Sequence, residues 1–166
     1  MSKIIAVVGE KHSGKTTIIE QMIKQLKQRK HHVGTIKEMV RIPTLDTPAT
    51  ETDRYTNAGS EITVAVPRNE TVIFIKKRLT TKEILPYLKG LDYVLLEGFE
   101  EEKTVPKIIA AKTAEEVKEF LDGTVIAISG LITESEDERK KAEAFGLPLL
   151  NTITDSDKLA DLIEDL

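Results

Sequence analysis

The chain opens on an unbroken apolar run, Ile4-Ile5-Ala6-Val7-Val8. Such a run reads as a strand buried on both faces. The period then changes. Ile19, Met22, Ile23 and Leu26 fall on one stripe and predict an amphipathic helix. Val33 to Ile36 reads as a second, short strand. Residues 38–60 lose apolar periodicity and are rich in threonine; Glu51 to Ala58 is the part expected to be helical. Glu61 to Val66 and Thr71 to Ile75 are β-branched runs separated by Pro67-Arg68-Asn69-Glu70, which predicts a β-hairpin. Its strands are expected to join the main sheet and make it mixed.

Beyond the hairpin, Thr80 or Thr81 caps a helix over Lys82 to Lys89, disturbed by Pro86 and stopped at Gly90. Asp92 to Leu96 is a strand that delivers Glu97-Gly98-Phe99 at its end. Lys107 to Ala111 is another strand. Thr113-x-x-Glu116 reads as a capping box for a helix to Leu121, ended by Gly123. Thr124 to Ser129 is a strand, and Ser135-x-x-Glu138 caps a helix to Phe145. Leu147 to Leu150 is a short strand. Asp155 or Ser156 opens the last helix, whose stripe of Leu159, Leu162, Ile163 and Leu166 is expected to pack on the sheet. The alternation predicts an α/β fold, a three-layer α/β/α sandwich with a mostly parallel sheet and one hairpin. At 166 residues, positions 1–166 are expected to form one domain.

Composition narrows the chemistry. There is no cysteine, which excludes disulfides, thiolate metal sites and cysteine nucleophiles. The net charge is −4, so no basic excess points to nucleic acid. Aromatic residues are 4% of the chain, too few for a base-stacking platform for single strands. No apolar run approaches the roughly 20 residues that span a bilayer. The start, MSKIIAVVG, lacks a signal-peptide pattern, and a cytoplasmic protein with no membrane partner is expected. The basic run from Lys24 to Lys30 reads as a solvated helix end that complements the helix dipole.

The strongest chemical signal is Gly9 to Thr17, GEKHSGKTT, which fits G-x-x-x-x-G-K-[ST] between a strand and a helix. Gly9 and Gly14 permit backbone conformations that a Cβ forbids. The N–H groups from Gly9 through Lys11, His12, Ser13, Gly14, Lys15, Thr16 and Thr17 can then line an anion site. Lys15 supplies a mobile positive charge for the β- and γ-phosphates, and the Thr16 hydroxyl suits Mg²⁺. The helix N-terminus adds its positive end. Glu97, at a strand C-terminus followed by glycine, is a candidate metal-side acid or water-orienting carboxylate. The polar 38–60 segment offers Asp46, Glu51, Asp53 and Arg54. From the residues alone, the ligand is a nucleoside triphosphate with Mg²⁺.

Two further stretches join this loop. Gly34-Thr35-Ile36-Lys37 precedes Asp46-Thr47-Pro48 and Asp53-Arg54-x-x-x-Ala58-Gly59-Ser60. Leu95-Leu96-Glu97-Gly98-Phe99 is followed by Pro106-Lys107-Ile108. In this order they resemble the molybdopterin-guanine dinucleotide biosynthesis protein B (MobB) family over most of the chain. The resemblance implies a GTP-binding, weakly GTP-hydrolysing, Mg²⁺-dependent protein. It also implies a homodimer that assists the guanylyltransferase of molybdenum cofactor synthesis. It gives Lys15, Asp46 and Glu97 catalytic positions, with Mg²⁺ at Thr16 and Glu97. The chain departs from the family pattern at Glu38-Met39-Val40-Arg41, at Pro48-Ala49-Thr50-Glu51-Thr52 and at Ile128-Ser129-Gly130-Leu131; no N-K-x-D motif occurs. Two other readings use the same loop. One is a small-molecule kinase with Arg41, Arg54 and Arg68 as phosphate clamps. The other is a nucleotide-gated adaptor that changes shape around the γ-phosphate.

Overall fold

The computed structural model of the chain describes residues 2–166. In chain order its strands are β1 (Lys3–Val8), β2 (Val33–Lys37), β3 (Ile62–Ala65), β4 (Val72–Ile75), β5 (Tyr93–Glu97), β6 (Lys107–Ala110) and β7 (Val125–Ser129). Its α-helices are α1 (Lys15–Gln28), α2 (Glu51–Asn57), α3 (Thr81–Ile84), α4 (Ala114–Phe120), α5 (Glu136–Ala142) and α6 (Ser156–Glu164). The apolar runs without alternation are the strands buried on both faces: Ile5 to Val8, Val94 to Leu96 and Ile108 to Ala110 are almost fully inaccessible.

These strands form a five-stranded sheet in the order β2-β5-β1-β6-β7, with every pair parallel. All five C-terminal ends therefore share one edge, the edge where open α/β sheets bind ligands. α1 and α6 pack together over one face, burying Ile18, Met22, Leu26, Leu159 and Ile163 against Ile5, Val7, Leu95 and Ile108. α4 packs on β6, and α5 packs on α4. The basic run at the C-terminal end of α1 meets carboxylates of α6: Arg29 pairs with Asp161 at 2.7 Å and with Glu164.

The chain divides into two compact units. One runs to Glu38 and resumes over Leu88–Leu166; the other is Met39–Tyr87. The hairpin forms as expected, with Ile62 opposite Ile75 and Val64 opposite Ile73. It does not enter the large sheet; β3 and β4 make a separate two-stranded sheet, so the expectation of a mixed sheet is corrected. On one hairpin face Ile62, Val64, Val66 and Ile73 stand exposed. Apolar residues on both faces of two strands gave no sign of which partner those strands would take.

Several boundaries move for local reasons. Thr80 and Glu83 form a reciprocal capping box, but Pro86 confines α3 to one turn and the chain continues as a 3-10 helix over Leu85–Leu88. Thr113 and Ser135 do cap their helices, through the amides of Glu116 and Glu138. The two glutamates do not complete the boxes: Glu116 accepts from Lys112 N–H and Glu138 from Ala114 N–H, tying α5 to α4. The strand expected over Leu147 to Leu150 reduces to a single bridge, Leu149 with Ile128. Pro148 has no N–H to extend the pairing. Leu166 lies past the end of α6 and is exposed, so the expected stripe ends at Ile163.

A candidate phosphate site at the strand C-termini

β1 ends at Val8, and Gly9 turns the chain with φ +140°. A Cβ on Gly9 would lie 2.0 Å from the Ala110 carbonyl oxygen, so the loop passes too close to β6 for any side chain. His12 (φ +61°) and Gly14 (φ +105°) are also left-handed, and α1 begins at Lys15. Left-handed residues alternating with ordinary ones can aim successive N–H groups to one side. The Ser13 hydroxyl is buried and has no hydrogen-bond partner. An orphaned buried donor inside such a loop fits an anionic ligand.

Lys15 Nζ donates to the carbonyls of Gly9 at 2.6 Å and Glu10 at 2.7 Å. Burial holds its ammonium below the usual lysine range; Glu97, Glu100 and Glu10 oppose that shift, and Lys37 adds to it. Thr16 Oγ1 donates to Glu97 Oε1 at 3.1 Å. Register explains the meeting: Glu97 is the last residue of β5 and lies beside Val7 of β1 and Lys37 of β2. Lys37 Nζ is 3.0 Å from the same Glu97 oxygen.

Past Glu97 the chain turns through Gly98 (φ +90°) and Phe99 (φ +59°). A left-handed phenylalanine is strained and persists only when its surroundings hold it. Glu38 Oε2 accepts the Phe99 N–H at 3.0 Å, and the Val7 carbonyl accepts the Gly98 N–H at 3.0 Å. The Glu100 carboxyl is pushed above the usual range, first by burial; Glu10, Glu38 and Glu101 reinforce this and Lys15 opposes it. Its carbonyl accepts from Lys107 Nζ at 2.9 Å, and Lys107 also pairs with Asp122 at 2.8 Å.

The residues named from the sequence therefore fall as follows. Gly9, Lys11, His12, Ser13, Gly14, Lys15, Thr16 and Thr17 form one loop and the first turn of α1, with Lys11, His12, Thr16 and Thr17 exposed. Lys15, Thr16 and Glu97 come together above it. Asp46 belongs to the Met39–Tyr87 unit. There it is 5% exposed and Oδ1 accepts from Thr52 at 2.7 Å and Thr50 at 3.3 Å. Its other oxygen takes no hydrogen bond and lies 3.6 Å from Lys76 Nζ.

Among the described residues no group of three or more His, Asp or Glu side chains forms a metal cage. The Thr16 hydroxyl and Glu97 carboxylate are hard oxygen donors in contact, which suits a Mg²⁺ ion that takes one or two protein ligands and completes its shell with phosphate and water. Sequence reading quoted Lys37, Glu38 and Lys107 within longer motifs but gave them, and Asp122, no role at the site. Lys37 and Lys107 carried a signal: Lys37 closes β2 and Lys107 opens β6, each next to an isoleucine, where packing alone does not call for a charge.

A glycine-bounded loop between the first strand of a parallel sheet and α1, facing an acid at the end of the adjacent strand, defines an α/β protein of the phosphate-binding-loop class. The chain belongs to the MobB family: the family's sequence model, described as molybdopterin guanine dinucleotide synthesis protein B, matches residues 4–131. It is 36% identical over 115 residues to a putative molybdopterin-guanine dinucleotide biosynthesis adapter protein of Methanocaldococcus jannaschii, a match covering 66% of this chain and 47% of that protein. The chain thus spans about half the length of that relative. It is 27% identical over 129 residues to a probable adapter protein of the same name in Bacillus subtilis, covering 75% and 74% of the two chains. The crystal structure of Bacillus subtilis MobB superposes with a TM-score of 0.77 at 23% identity, over 98% of this chain and 96% of that one. A MobB homolog from Bacillus stearothermophilus gives 0.63 at 22% identity, with 98% and 96% covered. These two likenesses concern the fold. No helix among the described residues is long and apolar enough to cross a membrane.

Proposed function

We propose that the chain binds GTP with Mg²⁺ at Gly9–Thr17, hydrolyses it slowly, and assists a guanylyltransferase in forming molybdopterin guanine dinucleotide. The observation that carries the nucleotide part is the loop itself, with Lys15 and the orphaned Ser13 hydroxyl inside it and the Thr16–Glu97 contact at its mouth. The guanine and cofactor parts rest on the family and on what its relatives are named.

Each residue has a separable task. Lys15, now spanning two loop carbonyls, would exchange them for phosphate oxygens, a stronger charge-assisted contact. Thr16 would hold the cation. Both bonds to Glu97 fall on Oε1, so its other oxygen would hold and orient the attacking water. Bound Mg²⁺ would supply charge neutralisation at the phosphates.

Glu97→Gln is expected to cut steady-state GTP hydrolysis by roughly a hundredfold or more, the usual scale for a water-orienting base. Binding should weaken by less than about tenfold. Parallel loss of both in a hydrolysis assay and a titration would make Glu97 a structural residue. The relatives' description as adapters favours one second reading, a nucleotide-gated adaptor without turnover. Phosphate release by the parent chain that Lys15→Ala abolishes argues against it; binding without release argues for it.

A further inference from the structure

β6 ends buried and apolar at Ala110, and the first polar side chain to emerge is Lys112. An exposed lysine is ordinarily a solvated, freely rotating group. This one is fixed at both ends. Its N–H donates to Glu116 Oε2 at 2.8 Å, and its ammonium meets Glu116 Oε1 at 3.0 Å. The same ammonium reaches the Lys11 carbonyl at 3.4 Å, on the outer rim of the Gly9–Thr17 loop. The lysine stem thus lies as a strut from β6 across the rim, with 40% of the side chain still open to solvent.

The orientation of a ligand follows from the sheet order. Thr16 and Glu97 mark the β5 side of β1, where the terminal phosphate and cation would sit. On that reading the nucleoside would extend to the other side of β1, towards its neighbours β6 and β7. The floor there is kept low: a Cβ on Gly130 would fall 2.4 Å from the Ser13 carbonyl, and Leu131 N–H donates to that carbonyl at 3.3 Å. The nearby polar side chains are already engaged. Ser129 donates to the Leu150 carbonyl, Thr152 accepts the Gly130 N–H, and Asn151 holds Thr133, Ile153 and Thr154.

We propose that Lys112, pinned by Glu116, is the platform on which the nucleoside base rests, recognised by its flat face rather than its edge. This inference rests on the phosphate-site reading of Gly9–Thr17. A methylene stem offers apolar surface and an ammonium attracts a π-face, and neither distinguishes one purine from another. Any preference for guanine falls to other groups.

The test titrates the full chain and its Lys112→Ala variant with GTP, ATP and inorganic tripolyphosphate, each with Mg²⁺. The expected result is a roughly three- to fivefold loss of affinity for both nucleotides. Tripolyphosphate affinity should be unchanged, which also shows that the variant loop is folded. Lys112→Met, which keeps the stem, should fall between parent and Lys112→Ala. Unchanged nucleotide affinity overturns the proposal. So does an equal loss for tripolyphosphate, which would make Lys112 a phosphate contact or a support of the loop, and so does a loss confined to one base. A parent chain that binds tripolyphosphate while Lys112→Ala leaves nucleotides unaffected sinks the platform alone; a parent that binds none of the three sinks the phosphate site with it.

Discussion

A Lys15→Ala chain is expected to bind GTP roughly ten- to a hundredfold more weakly, the loss of a charge-assisted contact of about 1.5–3 kcal/mol. It should do so with its melting temperature intact. The reason lies in what Lys15 touches. Its ammonium bonds two carbonyls of its own loop, those of Gly9 and of the exposed Glu10. Burial already disfavours its charged form. Removing the side chain therefore relieves desolvation while it deletes a contact that phosphate would improve. Calorimetric titration beside a thermal melt separates the two effects. Triphosphate affinity that matches the parent would remove Lys15 from the site, and a large drop in melting temperature would make it a structural residue.

The largest expected loss of stability is elsewhere, at Asp122→Ala. Lys107 is 1% exposed, and its charge is met by Asp122 Oδ2 at 2.8 Å and the Glu100 carbonyl at 2.9 Å. Removing one member of a buried pair costs about 3–5 kcal/mol because the other is left uncompensated. The side chain of Asp122 is 23% exposed, which places the cost at about 3 kcal/mol, the lower end. That is a large part of the roughly 5–15 kcal/mol that holds a domain folded. For a chain of this size it corresponds to a fall of roughly 6–12 °C in melting temperature. Lys107→Met combined with Asp122→Ala should recover most of it, since apolar side chains can replace a buried pair without penalty. A double variant as unstable as the single one would contradict this explanation.

The same pair sets a pH dependence. Hydrogen bonds from Lys107, then from Thr124, hold the Asp122 carboxyl well below the usual carboxylate range. A carboxyl lowered on folding contributes its full stabilisation above its unfolded value of about 3.9. That contribution is lost as pH falls through the lower folded value. The stability gap between the parent and Asp122→Ala, measured by denaturant titration, should therefore be constant near neutral pH and narrow progressively as pH falls below about 4. Through Glu100 this pair also anchors the turn that follows Glu97, so fold stability and site geometry are linked at Lys107.

Much of the fold and of the candidate site is legible in the sequence. The strand–loop–helix over Ile4 to Leu26 and the acid at Glu97 are local patterns, and local patterns survive folding. Glu97 could be placed beside the loop because parallel strands align their C-termini, and β5 does pair with β1. What stayed hidden depends on distant partners. The hairpin strands matched a sheet member, yet nothing in Ile62 to Ile75 told whether they would extend the large sheet or stand apart. Glu116 and Glu138 matched capping boxes, yet each accepts from an amide other than that of its helix's capping residue. Lys112 looked like any surface lysine; only the Lys11 carbonyl and Glu116 distinguish it.

The central claim is that Gly9–Thr17 is a triphosphate site that prefers GTP. Its most direct test is a calorimetric titration of the full chain with GTP, ATP and their diphosphates in the presence of Mg²⁺. Saturable GTP binding, tighter than that of ATP and dependent on Mg²⁺, is the predicted result. No heat with any nucleotide, or ATP bound as tightly as GTP, would contradict it, and the second outcome would direct attention to phosphoryl transfer onto a small-molecule acceptor.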